Sequence, residues 1–135
     1  MPVQLETYIK QNVFPHEYRV YKYIQECAIV NTPKIISYDP ERYILTMEKI
    51  QGMNLSDMFG EKASDIDSDL FEEVRWIIRT LKNNNIEYPD ITGYNFIRSD
   101  SDGKLYIIDF EHAYVTDPFI DRFIKGENAW NPEYI

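Results

Sequence analysis

The chain has 135 residues, 44% of them hydrophobic and 15% aromatic, which is enough for one packed domain and excludes a chain disordered by composition. A net charge of −9 and a pI of about 4.6, with no basic run, argue against a nucleic-acid footprint. No apolar run approaches the roughly 18 residues of a membrane span, no signal-peptide pattern opens the chain, and the single Cys27 fits a reducing, cytoplasmic compartment.

Residues 5–10 read as a short strand and 11–14 as a connector. Pro15 suits the first turn of a helix running to about Cys27. Its inward face carries Val20, Tyr21, Ile24, Cys27 and Ala28, and Glu17 falls on the same face. A carboxylate there needs a partner, and Lys10 is the nearest candidate upstream. Alternatively, Lys10 is a solvated strand end and Glu17 favours the positive end of its helix. Residues 34–38 and 43–47 flank Asp39-Pro40-Glu41-Arg42 and read as a hairpin. An extended linker, Met47-Glu48-Lys49-Ile50, follows, then a short helix near residues 55–59, opened by Asn54 or Ser56. Asp69-x-x-Glu72 reads as a capping box. It opens a long helix to about Lys82, with Leu70, Phe71, Val74, Ile77, Ile78 and Leu81 as its core stripe.

Residues 88–97 and 105–113 flank a cluster of turn formers at 99–104 and predict a second hairpin. Folded about Asp102, it sets Asn95 opposite Asp109 at its open end, and Asp90 lies in the loop feeding that end. A carboxylate beside an amide oxygen suits a hard cation such as Mg²⁺, and a nearby free carboxylate can orient or deprotonate a hydroxyl. Glu111 is close enough to Asp109 to be an extra ligand, whereas His112 and His16 read as packing or hydrogen-bonding residues. Two His and one Cys make a zinc site an unexpected outcome. Residues 119–125 suggest an amphipathic helix closed by Gly126, and the aromatic tail at 130–135 is expected to pack down.

Asp90-x-x-x-x-Asn95, a strand, a turn, a second strand and Asp109-Phe110-Glu111 together resemble the catalytic loop and metal motif of the protein-kinase-like superfamily. That superfamily spans protein kinases and the aminoglycoside and choline phosphotransferases. The resemblance implies a minimal α+β fold in one domain. A small N-terminal antiparallel sheet with one helix and a hinge would fill residues 1–50, and a reduced helical part carrying the catalytic-loop hairpin would fill 51–135. It implies Asp90 as the catalytic residue and Asn95 and Asp109 as Mg²⁺ ligands. Lys10, held by Glu17, would touch phosphates, and the backbone of Met47, Glu48, Lys49 and Ile50 would meet the base. Tyr88 stands where the family usually has His, and Glu111 where protein kinases have Gly, so Asp-Phe-Glu is nearer to the small-molecule branch.

Only nine residues precede Lys10, none of them Gly, so a Gly-rich phosphate lid is expected to be missing. In this the chain is similar to truncated kinase-like proteins of large DNA viruses. Two functions are implied. One is an Mg²⁺-dependent ATP or GTP phosphotransferase acting on a protein or small-molecule hydroxyl. The other is an inactive pseudokinase that binds and regulates a protein partner. A partner protein or a second copy of the chain would complete the site. An unrelated α+β domain with structural acidic turns is the remaining alternative.

Overall fold

The structure is a computed structural model that describes residues 6–60 and 62–125, apart from the side chains of Ala63, Phe123 and Lys125. Leu5, Gly126 and the tail at 130–135, to which expectations were attached, lie outside the described residues. Strands β1 (Thr7–Lys10), β2 (Ile35–Asp39) and β3 (Ile44–Glu48) form an antiparallel sheet in the order β1-β3-β2. Along β3, Leu45 and Met47 are buried while Ile44, Thr46 and Glu48 are half-buried, the period-2 pattern of a strand with one face on a core. Lys10 pairs with Leu45 at the end of β1.

The short step from Lys10 to the first helix is closed by local geometry. Asn12 takes a left-handed φ of 59°, which Asn tolerates better than most residues. The Val13 N–H then donates to the Tyr43 carbonyl at 2.8 Å. Pro15 opens helix α1 (Pro15–Glu26), which buries Glu17, Val20, Tyr21 and Ile24. The helix stops just short of the expected end. Ala28 turns to a φ of 49° and the Ile29 N–H returns to the Ile24 carbonyl. Cys27 and Ala28 are therefore exposed and not inward-facing.

The remaining elements are β4 (Gly52–Asn54), α2 (Leu55–Phe59), α3 (Ser68–Asn83), β5 (Ile86–Glu87), β6 (Phe96–Ser99), β7 (Leu105–Ile107), β8 (Tyr114–Val115) and α4 (Pro118–Lys125). Asn54 caps α2 by accepting the Asp57 N–H at 2.8 Å. The expected capping box does not open α3. Asp67 does so, its carboxylate accepting the Asp69 N–H at 3.0 Å, because the Phe71 N–H already reaches the Asp67 carbonyl. Glu72 pairs with Arg75 instead. Of the apolar stripe, Val74, Ile77 and Leu81 are buried, and Leu70 and Ile78 pack against the core. Phe71 is half-buried beneath the Arg75 guanidinium, 4.7 Å from its ring centroid.

Strands β6 and β7 form the expected hairpin in a register shifted by one residue: Phe96 faces Ile107, and the Ile108 N–H donates to the Asn95 carbonyl. The shift comes from the turn, where Gly103 adopts a φ of 71° and its N–H bonds the Ser99 carbonyl. Asn95 thus opposes Ile108, and Asp109 stands one residue beyond the ladder. Past the linker, β4 adds to β6. A Cβ at Gly52 would lie 1.8 Å from the Arg98 carbonyl oxygen, so this close pairing needs glycine.

One buried cluster joins Tyr21 and Ile24 of α1, Leu45 and Met47 of β3, Ile77 and Leu81 of α3, and Phe96, Ile107 and Phe110 around the hairpin. The N-terminal sheet and the hairpin therefore share a core, which fixes Lys10 relative to Asp109. Among the described residues, no helix is long and apolar enough to cross a membrane.

Candidate active site

Lys10 reaches from the end of β1 to two carboxylates. Its Nζ lies 2.6 Å from Glu17 Oε2 and 3.2 Å from Asp109 Oδ1. The Glu17 side chain is only 4% exposed, so its charge depends on that ammonium. Burial pushes the Glu17 carboxyl up, and the bond and charge of Lys10 pull it back only in part. Burial also opposes the charge on Lys10, but the hydrogen bond to Glu17 and the two carboxylate charges outweigh it and hold the ammonium above its ordinary value.

Asp109 has a left-handed φ of 66°, a costly conformation for a residue with a side chain. Two tyrosines hold the backbone there. The Tyr21 hydroxyl accepts the Asp109 N–H at 3.0 Å, and the Tyr88 hydroxyl donates to the Ile108 carbonyl at 2.6 Å. Burial drives both phenols well above the ordinary range, so they stay protonated. Tyr88 thus ties the loop before Asp90 to the residue before Asp109.

Asn95 closes a single 3-10 turn at Gly93–Asn95. Its Nδ2 donates to the Asp90 carbonyl at 2.8 Å, which leaves Oδ1 as the acceptor end of the amide. That oxygen and the Asp109 carboxylate are hard donors of the kind Mg²⁺ prefers, so the residues present fit such an ion. The Glu111 carboxylate is exposed, and its contact with Asp109 is through its backbone N–H. Among the described residues, no group of three or more His, Cys, Asp or Glu could hold a metal, so any site here rests on the Asn–Asp pair.

Lys10, Asn95 and Asp109 line one cavity of about 330 Å³, together with Met47, Glu48, Lys49 and Ile50. Asp90 is not among the lining residues; it connects to the cavity through Asn95. Its carboxylate instead meets His112, with Nδ1 2.7 Å from Oδ2. A second histidine contact binds α1 to the same segment, His16 Nε2–H donating to the Ala113 carbonyl at 2.6 Å. Neither histidine partner was legible in the sequence, because both bonds span more than 20 residues.

The hydrogen bond to Asp90 raises the His112 pKa above 6.5, and the charges of Asp90, Glu111 and Asp109 add to this. The charged bond is therefore fully formed below pH 6.5 and fades as pH rises through the higher folded-state value. An NMR titration of the ring is expected to give a midpoint above 6.5 in the wild type and a lower one in Asp90→Asn.

No family profile matches the chain. A curated relative, the EKC/KEOPS complex subunit BUD32 of Enterocytozoon bieneusi (strain H348), is 27% identical over 112 residues, covering 75% of this chain and 54% of that protein. The Cydia pomonella granulovirus kinase PK-1 matches in structure with a TM-score of 0.57 and 16% identity, covering 81% of this chain and 42% of that one. The fold is protein-kinase-like. This kinase-like chain spans about half the length of the curated relative it matches.

Proposed function

We propose that the chain is a kinase-like phosphotransferase that moves the γ-phosphoryl group of Mg²⁺-bound ATP or GTP to a hydroxyl. The observation that carries this reading is the Lys10 ammonium joined to both Glu17 and Asp109 at a cavity that Asn95 and residues 47–50 also line. Residues 47–50 would receive the base and Lys10 the phosphates. Asn95 and Asp109 would hold Mg²⁺, which would supply positive charge to offset that of the phosphates during transfer. Asp90 would orient the acceptor hydroxyl. That oxygen attacks the γ-phosphorus, the bond to the β–γ bridging oxygen breaks, the nucleoside diphosphate leaves, and the hydroxyl proton passes to Asp90 or water.

The substitution Asp90→Ala tests this. It is expected to lower transfer by roughly 10²–10⁴-fold while nucleotide binding persists, since Asp90 lies outside the cavity lining. Wild-type transfer by that variant would remove Asp90 from the chemistry. The second reading, a pseudokinase, is favoured by Tyr88 standing where the kinase-like superfamily usually has His. A protein partner fits either reading, because the BUD32 relative is named as a subunit of a complex. Stoichiometric capture of such a partner, with no transfer by the purified pair, would decide for the pseudokinase.

A further inference from the structure

We propose that His112 is a positioning residue for Asp90, turning its carboxylate so that Oδ1 is the oxygen offered to the acceptor hydroxyl. This rests on the phosphotransfer reading above. Asp90 lies in an irregular stretch between β5 and the turn at Gly93–Asn95. The bond from Asn95 fixes the Asp90 carbonyl, but a backbone bond leaves the side-chain torsions free to visit several rotamers. Among the described residues, His112 is the one group bonded to the Asp90 carboxylate, and it takes Oδ2 alone. An ionised carboxylate only accepts hydrogen bonds, so the ring must carry its proton on Nδ1.

His112 is in turn presented by a fixed backbone. The Ala113 N–H closes a turn onto the Phe110 carbonyl at 3.2 Å, and Phe110 is fully buried. On the other side, His16 clamps the Ala113 carbonyl from α1. The helix that carries Glu17 therefore also braces the segment that carries His112. The hydrogen bond to Asp90 and the charges of Asp90, Glu111 and Asp109 together favour the protonated ring. Orientation of this kind matters because a misplacement of about 1 Å can cost on the order of a hundredfold in rate.

The test measures phosphate released from Mg²⁺·ATP to water, or transferred to the chain itself, by the wild type, His112→Ala and His112→Asn. Asn keeps an N–H donor near the position of Nδ1. His112→Ala is expected to lose roughly tenfold or more in kcat with the KM for ATP nearly unchanged, and His112→Asn to recover most of that loss. Wild-type kcat in His112→Ala, or a His112→Asn variant as slow as the alanine, would overturn the proposal. Tm values near that of the wild type exclude misfolding as the cause. A wild type that binds Mg²⁺·ATP but never transfers phosphate would sink the phosphotransfer reading, and this role with it. The ring titration separates the two failures: a midpoint that is the same in Asp90→Asn means that the contact itself is absent.

Discussion

Lys10→Met is expected to destabilise the protein by on the order of 3 kcal/mol at pH 7, and by much less near pH 4. The variant leaves the Glu17 carboxyl buried without the ammonium that now lies 2.6 Å away. Burial already pushes that carboxyl above its ordinary value of 4.5, and without Lys10 nothing pulls it back. A carboxyl with a raised folded-state pKa contributes stability below its unfolded value and loses it as pH rises through the folded value. The deficit relative to wild type should therefore grow from acid to neutral pH, which urea unfolding at both pH values would measure. A deficit independent of pH would mean that Glu17 escapes to solvent. The double variant Lys10→Met/Glu17→Leu should regain most of the lost stability, since an apolar pair can replace a buried ion pair. It should not regain nucleotide affinity, expected to fall roughly tenfold to a hundredfold with the loss of one charged phosphate contact.

Phe110→Ala should be the most damaging single truncation near the site, at about 3–5 kcal/mol. Phe110 is fully buried. Its ring lies edge-on to Tyr21 at 4.4 Å and to Tyr88 at 5.4 Å. Those tyrosines hold the backbone of Ile108 and Asp109 through their hydroxyls. Removing the ring opens a cavity between them and releases a left-handed Asp109 that its surroundings must hold in place. Against a total stability of about 5–15 kcal/mol, this loss would lower the Tm by roughly 10 °C or more. Phe110→Leu, which fills much of the space, should cost about half as much or less. A loss below about 1 kcal/mol in the alanine variant would contradict this packing role.

Much of this arrangement was readable from local pattern. The alternation around Leu45 and Met47 placed β3, the helical spacing of Val20, Tyr21 and Ile24 placed α1, and Glu17 on its apolar face called for a cation. Asp90, Asn95 and Asp109 could be grouped because a hairpin joins two of them and its feeding loop supplies the third. Local pattern misled where several short-range options compete. Three acidic residues at 65, 67 and 69 could each cap α3, and backbone entry geometry chose Asp67. The hairpin register depended on which turn residue took a left-handed φ, and Gly103 moved it by one. Other features lay beyond reach because they come from residues far apart in sequence. Nothing local marks the addition of β4 to β6, the β5–β8 pair or the bond of His112 to Asp90.

The measurement that bears most directly on the site is a thermal-shift titration with ATP, with and without Mg²⁺, on the wild type and on Asp109→Asn. A ligand that binds only the folded state adds about 2.7 kcal/mol at a hundred times its Kd, so a functional site should raise the Tm progressively. The expected result is a rise that needs both ATP and Mg²⁺ and disappears in Asp109→Asn. No rise in the wild type at millimolar nucleotide, or an equal rise in both proteins, would contradict a nucleotide site built on Lys10, Asn95 and Asp109.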